Sequence, residues 1–193
     1  MRVWLDVGAN RGGHAISSAA RHDDVMVYAF EPNLLAVAGN VGRYPNYIVI
    51  AAAVGTVNGV RIFQLADSDT ASTIMPVNWE NAMRWQGGQL TVTARIPVPV
   101  VRLDTFMDAA GIGAVERLTV DAQGADLDVL KSAGERIRNV ESVRVEVSVT
   151  PFPVYQGAPT KQEIMDYMDA YGFRLTEVEP SSHGQEEYLQ FTQ

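Results

Sequence analysis

The sequence contains no cysteine among its 193 residues, so neither a disulfide framework nor a thiolate metal site is possible. Basic residues are scarce, 15 against 23 acidic, and the formal charge of −8 argues against a broad nucleic-acid surface, which would favour a basic face. Long hydrophobic runs are missing as well. The longest, residues 47–55, falls far short of the roughly 20 needed to span a bilayer. The N-terminus offers no charged segment followed by an apolar signal region. These absences lead us to expect a soluble cytoplasmic protein with no membrane or nucleic-acid partner. There is no internal repeat and no low-complexity tract, and nothing in the sequence sets the oligomeric state.

What is present starts at once. Residues 3–7 read as a short buried strand that breaks into a glycine turn, Gly8-Ala9-Asn10-Arg11-Gly12-Gly13, with a helix pattern over 14–20 directly behind it. Such a turn aims backbone N–H groups from a helix N-terminus, which makes a cofactor cradle. A second apolar strand, 25–30, ends in Glu31, nineteen residues after Gly12. That is close to the distance at which an acid on a second strand reaches a ribose hydroxyl pair. A dinucleotide fingerprint would need a glycine where Asn10 stands, so that backbone could approach a pyrophosphate closely. Asp6, just before the turn, would repel a diphosphate but could hold an ammonium group near a sulfonium. The pattern therefore points to S-adenosylmethionine. A nicotinamide-dependent oxidoreductase is the rival that Asn10 and Asp6 both oppose, and a cofactor-binding module without catalysis is a further alternative.

Strand, turn and helix alternate through the first third, the sign of parallel strands joined by crossover helices. Pro32 and Asn33 open a helix to about Asn40, and 47–54 is expected as a third strand buried on both faces. The middle of the chain breaks the rhythm. Residues 60–65 suggest a short strand, and 90–103 a longer one whose Pro97 and Pro99 mark it as an edge. Between them, the polar and aromatic stretch 67–89 carries Trp79 and Trp85, candidates for an apolar substrate wall. Asp104 is expected to N-cap a short helix, and 117–120 to form a strand ending at Asp121. Asp126 and Asp128 open a helix where acids favour the macrodipole. Strand 142–149 follows, then a Thr160–Glu163 capping box on a helix and a closing pair of strands, 173–178 and 187–191, spaced as an antiparallel hairpin. At this size the chain should form a single domain, 1–193, with an inserted loop and hairpin region at about 56–103.

Taken together, Leu5-Asp6-Val7-Gly8-Ala9-Asn10-Arg11-Gly12, Phe30-Glu31-Pro32-Asn33, Ala52-Ala53-Val54-Gly55, Leu103-Asp104-Thr105-Phe106 and Val120-Asp121-Ala122-Gln123-Gly124-Ala125-Asp126, followed by Val145-Glu146-Val147, resemble the FkbM family of S-adenosylmethionine-dependent methyltransferases. The resemblance implies an α/β fold, the class I methyltransferase (Rossmann-like) three-layer sandwich, with a seven-stranded, mostly parallel sheet whose last strand is antiparallel. It implies that Asp6, Gly8, Asn10 and Gly12 surround the methionine part of the cofactor, Glu31 the ribose, and Pro32, Asn33, Ala52 and Ala53 the adenine. Characterised members methylate hydroxyls of sugars or natural products, so a small-molecule hydroxyl acceptor is the expected partner. Two positions depart from the family: Arg11, usually apolar, and Gln123, usually glutamate. The chain also starts directly at its first strand, where such enzymes often have covering helices, and 67–89 is expected to take over that duty. Asp121 and Glu146 are the expected catalytic carboxylates, with no metal. His14, His22 and His183 have no partner at a telling spacing.

Overall fold

A computed structural model describes residues 1–84, 90–181 and 184–193. Two sheets organise the chain. The larger takes strands β1 (Arg2–Val7), β2 (Val25–Phe30), β3 (Tyr47–Ile50), β7 (Val115–Val120), β8 (Val140–Ser148), β9 (Arg174–Pro180) and β10 (Glu186–Thr192), in the order β3-β2-β1-β7-β8-β10-β9. β10 runs antiparallel to both its neighbours and the other six strands are parallel. The smaller sheet, β4-β6-β5, is built from β4 (Ala53–Val54), β5 (Gly59–Ala66) and β6 (Val92–Val101).

Strand alternation divides the helices between the two faces of the large sheet. Leu5 and Val7 of β1, Leu118 and Val120 of β7 and Val143 and Val145 of β8 point to one side. There they meet α4 (Leu103–Ala109), α5 (Asp126–Ser132) and α6 (Lys161–Ala170) through Leu103, Met107, Val129, Leu130, Ile164 and Met168. Phe106 of α4 adds edge-on ring contacts with Tyr28 and Phe30, at 5.2 and 4.9 Å between centroids. On the other side Val25, Val27 and Ala29 receive Ala15 and Ala19 of α1 (Gly13–Ala19). The result is the α/β, class I methyltransferase three-layer arrangement. Among the described residues no helix is long and apolar enough to cross a membrane.

Local chemistry explains most boundaries. Thr160 and Glu163 form the expected capping box, the threonine side chain accepting from Glu163 N at 3.2 Å and the glutamate from Thr160 N at 2.8 Å. Asn33 caps α2 (Leu34–Val37), its side chain accepting from Leu35 N, and the turn tightens to a 3₁₀ segment over Ala38–Asn40. Helix α2 is thus shorter than the continuous helix expected.

Three expectations are corrected. The run 47–54 is two strands: β3 lies at the edge of the large sheet with Ile48 41% exposed, and the chain bends at Ala52 to restart as β4 beside β6. β6 is central in its sheet despite its prolines. Gly55 N donates to Val101 O, so by alternation Pro97 and Pro99 also turn their backbone toward β4, and the ladder to β5 needs no N–H from them. Asp104 sits inside the first turn of α4, and its carboxylate is held by Arg102, the residue in the cap position.

Candidate functional site

The carboxyl ends of β1, β2, β7 and β8 and the loops that follow them surround a cavity of about 940 Å³. Its floor at β1 is the glycine turn. Gly8 has φ +79° and Gly12 φ +89°, and Asn10 also lies in the left-handed region at φ +45°. Gly12 N-caps α1, so the expected strand–turn–helix is present. Asn10 N donates to Glu31 Oε2 at 2.9 Å, and Asn33 N donates to Glu31 Oε1 at 2.6 Å. Glu31 therefore ties the loop after β1 to the loop after β2, and as a carboxylate it still has lone pairs for a ligand.

Of the expected cofactor contacts, Asp6, Gly8, Asn10, Gly12, Glu31, Pro32, Ala52 and Ala53 line the cavity. Asn33 does not, because its side chain is turned to the cap of α2 and is 8% exposed. Asp6 is 9% exposed, and burial together with the charge of Asp121 pushes its carboxyl up to about 7.

Beyond the end of β7 the cavity meets a hydrogen-bonded polar cluster. Gln123 Nε2 donates to Asp121 Oδ1 at 2.8 Å and to Glu146 Oε2 at 2.9 Å, and Tyr188 O–H donates to Asp121 Oδ2 at 3.0 Å. The Tyr155 hydroxyl lies 2.7 Å from Gln123 Oε1 and 3.1 Å from Ala71 O, and the two carboxylates on the other side of the amide call for its nitrogen. Thr73 O–H donates to Gln123 O at 2.8 Å and joins the loop after β5 to this cluster. Burial, the charge of Asp121 and that of Glu186 hold Glu146 well above the usual carboxylate range. Burial and Asp121 push Glu186 up to about 7. Tyr188 is raised too, first by burial and then by Asp121. Such a cluster can hold a hydroxyl by hydrogen bonds, and it has carboxylates able to accept a proton.

Both expected catalytic carboxylates, Asp121 and Glu146, are thus brought together, and Tyr155, Tyr188, Glu186 and Thr73 join them without having been singled out in the sequence. The signal for Tyr188 is the register of β10 on β8, which sets it opposite Glu146. Asp126, read as a helix-start charge, is 4% exposed and accepts from Ala122 N and Gly124 N, bracing the turn that carries Gln123. Among the described residues of 67–89, Ser68, Thr70, Ala71, Ser72, Thr73 and Ile74 line the cavity. Trp79 opens the short α3 (Trp79–Ala82), is 47% exposed and stands outside the cavity. Trp85 and His183 lie outside the described residues. His14 is exposed on the cavity rim, and His22 is exposed away from it.

Comparison with known proteins fits this geometry. The family model of the methyltransferase FkbM domain matches residues 6–175. The chain is similar to the 2-O-methyltransferase NoeI of Sinorhizobium fredii, 24% identical, with 88% of this chain and 72% of that protein covered. Among solved structures it resembles the precorrin-6y C5,15-methyltransferase of Geobacter metallireducens, with a TM-score of 0.52, 10% identity, and coverage of 100% of this chain and 81% of that one. It also resembles Aeropyrum pernix fibrillarin in complex with natively bound S-adenosyl-L-methionine, with a TM-score of 0.55, 12% identity, and coverage of 99% and 66%. At these identities the structures speak for the fold, and the family match sets the nicotinamide reading aside. A glycine turn tied to Glu31, a carboxylate cluster at the end of β7 and a family match over most of its length lead to one assignment: the chain belongs to the methyltransferase FkbM domain family and is an S-adenosylmethionine-dependent methyltransferase.

Proposed function

We propose that the methyl group goes to a hydroxyl oxygen of a small molecule, a sugar or a natural product. The observation that carries this reading is the bonded set of Asp121, Gln123, Glu146 and Tyr188 at the inner end of a cavity of about 940 Å³. That volume suits a nucleoside cofactor together with a compact acceptor. S-adenosylmethionine supplies, when bound, an electrophilic methyl group on a sulfonium. The residues fit it: the cavity runs from the Gly8–Gly12 turn past Glu31, Pro32, Ala52 and Ala53 to Asp121, and Asp6 offers a carboxylate that no described residue engages.

This chain's own contribution is alignment and proton handling. Tyr188 O–H and the amide of Gln123 hold the Asp121 carboxylate in place, so that it can orient the acceptor hydroxyl and take its proton late in the reaction. Removal of that proton by a positioned base is worth about 10²- to 10⁴-fold. Burial and the charge of Asp121 hold Glu146 above the usual carboxylate range, and Gln123 Nε2 ties it to Asp121 at the same end of the cavity. We read the reaction as independent of added metal, because Gln123 spends its N–H groups on both carboxylates and its oxygen on Tyr155. A charge of −8 supports a small acceptor over RNA, and the name of the S. fredii relative supports oxygen as the acceptor atom. We further read the region of about 56–103 as an insertion within one domain.

The test is methyl transfer from isotopically labelled S-adenosylmethionine to parallel panels of hydroxylated small molecules, RNA and protein, with the product located by NMR. An O-methyl group on a sugar or natural product is expected. Label confined to RNA or protein would reject the reading.

A further inference from the structure

Two opposite charges face the cavity without pairing. Asp6 on β1 and Arg117 on β7 belong to adjacent parallel strands, with Trp4 beside Arg117 and Asp6 beside Thr119, so both side chains rise from the same face of the sheet. Both line the cavity, and Asp6 is nearer the Gly8 turn by one pleat. Among the described residues neither side chain makes a hydrogen bond or an ion pair, with each other or with anything else. The charged neighbours of Arg117 are already engaged. Glu116 receives Arg2 at 3.2 Å and Trp4 Nε1 at 2.9 Å, and Arg144 is bound to Glu179 at 2.8 Å and stacked 3.6 Å over the Tyr188 ring.

Arg117 is nevertheless held in place. Its guanidinium carbon stands 5.4 Å from the centroid of Trp4, whose indole is itself anchored by Glu116. Burial first, and repulsion from Arg144 second, lower its pKa, while burial raises that of Asp6; the two attract each other across the cavity, yet not closely enough to form an ion pair. A half-buried guanidinium left without an anion is costly, and its planar fork of donors matches a carboxylate. A separated cation and anion in one cavity are complementary to a group that carries both charges on one carbon: an α-amino acid zwitterion.

We propose that Arg117 binds the α-carboxylate of the methionyl part of S-adenosylmethionine while Asp6 binds its α-ammonium, the two residues forming a clamp across β1 and β7. The clamp fixes the end of the cofactor farthest from Glu31. It leaves Arg144 to Glu179 and Tyr188, so that Arg117 is a ligand contact and Arg144 is structural.

The test is calorimetric titration of the full chain with two nucleosides, S-adenosylhomocysteine and 5′-methylthioadenosine. They share the adenosine and the thioether sulfur, and the second lacks the amino acid. Arg117→Met should weaken S-adenosylhomocysteine roughly tenfold to a hundredfold, the loss of one charge-assisted pair, and leave 5′-methylthioadenosine unchanged. Arg117→Lys should recover part of the loss, as a point charge without the fork. Unchanged 5′-methylthioadenosine affinity also certifies that the variant is folded. Wild-type affinity of Arg117→Met for S-adenosylhomocysteine would overturn the proposal. So would an equal loss for both nucleosides, which would make Arg117 a support of the fold. Wild-type protein that bound neither nucleoside would overturn the cofactor assignment, and the clamp with it.

Discussion

A β-carbon placed on Gly8 would lie 1.8 Å from the carbonyl oxygen of Asp121, so the glycine turn after β1 and the carboxyl end of β7 are in direct backbone contact. Asp121 N also donates to Val7 O at 3.0 Å, which makes the two a single rigid unit. Gly8→Ala meets both that clash and a left-handed φ of +79°. It should cost about 1–3 kcal/mol of stability from backbone strain alone, and more from the clash, and should weaken S-adenosylhomocysteine. Urea unfolding and calorimetry check this, and unchanged values for both would contradict the contact.

Glu31 joins two loops through Asn10 N and Asn33 N and lines the cavity, where it is proposed to meet the ribose. Glu31→Ala removes charge-assisted hydrogen bonds worth roughly 1.5–3 kcal/mol, so cofactor affinity should fall about tenfold to a hundredfold. Titration with S-adenosylhomocysteine decides. Wild-type affinity would remove Glu31 from the cofactor site.

Asp121→Asn should lower kcat by about 10²- to 10⁴-fold with cofactor affinity retained, since the change takes away a proton acceptor and keeps the shape. Wild-type activity should also withstand a chelator. Full activity in the variant would exclude Asp121 from the reaction. Activity lost to chelator and restored by Mg²⁺ would show that a metal ion takes part.

The buried carboxyls make stability depend on pH in a defined direction. Asp6, Asp126 and Glu186, all raised to about 7, hold their protons in the folded chain where the unfolded chain has released them. Their contribution is fully present below the ordinary carboxylate range near 4 and is lost as pH rises through about 7. Carboxylates with lowered values, Asp24, Asp67, Asp104, Glu163 and Glu179, act below that window. The Tm of the ligand-free protein should therefore fall between about pH 5 and pH 8. In Glu186→Gln the fall should be shallower. A flat wild-type profile, or identical slopes, would contradict the assignment.

Trp79 stands outside the cavity and is 47% exposed, so Trp79→Ala should leave cofactor affinity and acceptor KM within about twofold of wild type. A large rise in KM would return the ring to the substrate wall.

The parts of this site that could be read from the sequence are those built by near neighbours along the chain. The turn from Gly8 to Gly12 needs particular residues at fixed offsets, Glu31 ends a strand beside it, and the Thr160 box is contained in four residues. Tyr188 and Tyr155 were not legible in this way. They reach Asp121 and Gln123 across 67 and 32 residues, through an antiparallel register and a crossing loop. The place of Trp79 was not legible either, because an aromatic residue in a polar loop advertises packing without saying against what; the fold sets it outside the cavity. Asp126 misled because an acid at a helix start already has a sufficient local explanation, and its bonds to Ala122 N and Gly124 N need the folded turn. The run 47–54 hid a bend, since apolar residues suit the edge of one sheet and the start of another equally well.

The order of the large sheet leaves two strands with an open side, β3 and β9, and they differ in how they meet other chains. All seven residues of β9 are exposed, and among them Arg174, Glu177 and Glu179 bring charge and Pro180 lacks a donor, features that oppose docking of a further strand. β3 carries Tyr47, Ile48, Val49 and Ile50 and has no such charge, but four residues give an incoming strand little to pair with. Growth into a cross-β assembly is thus resisted by charge and proline at one border and by brevity at the other.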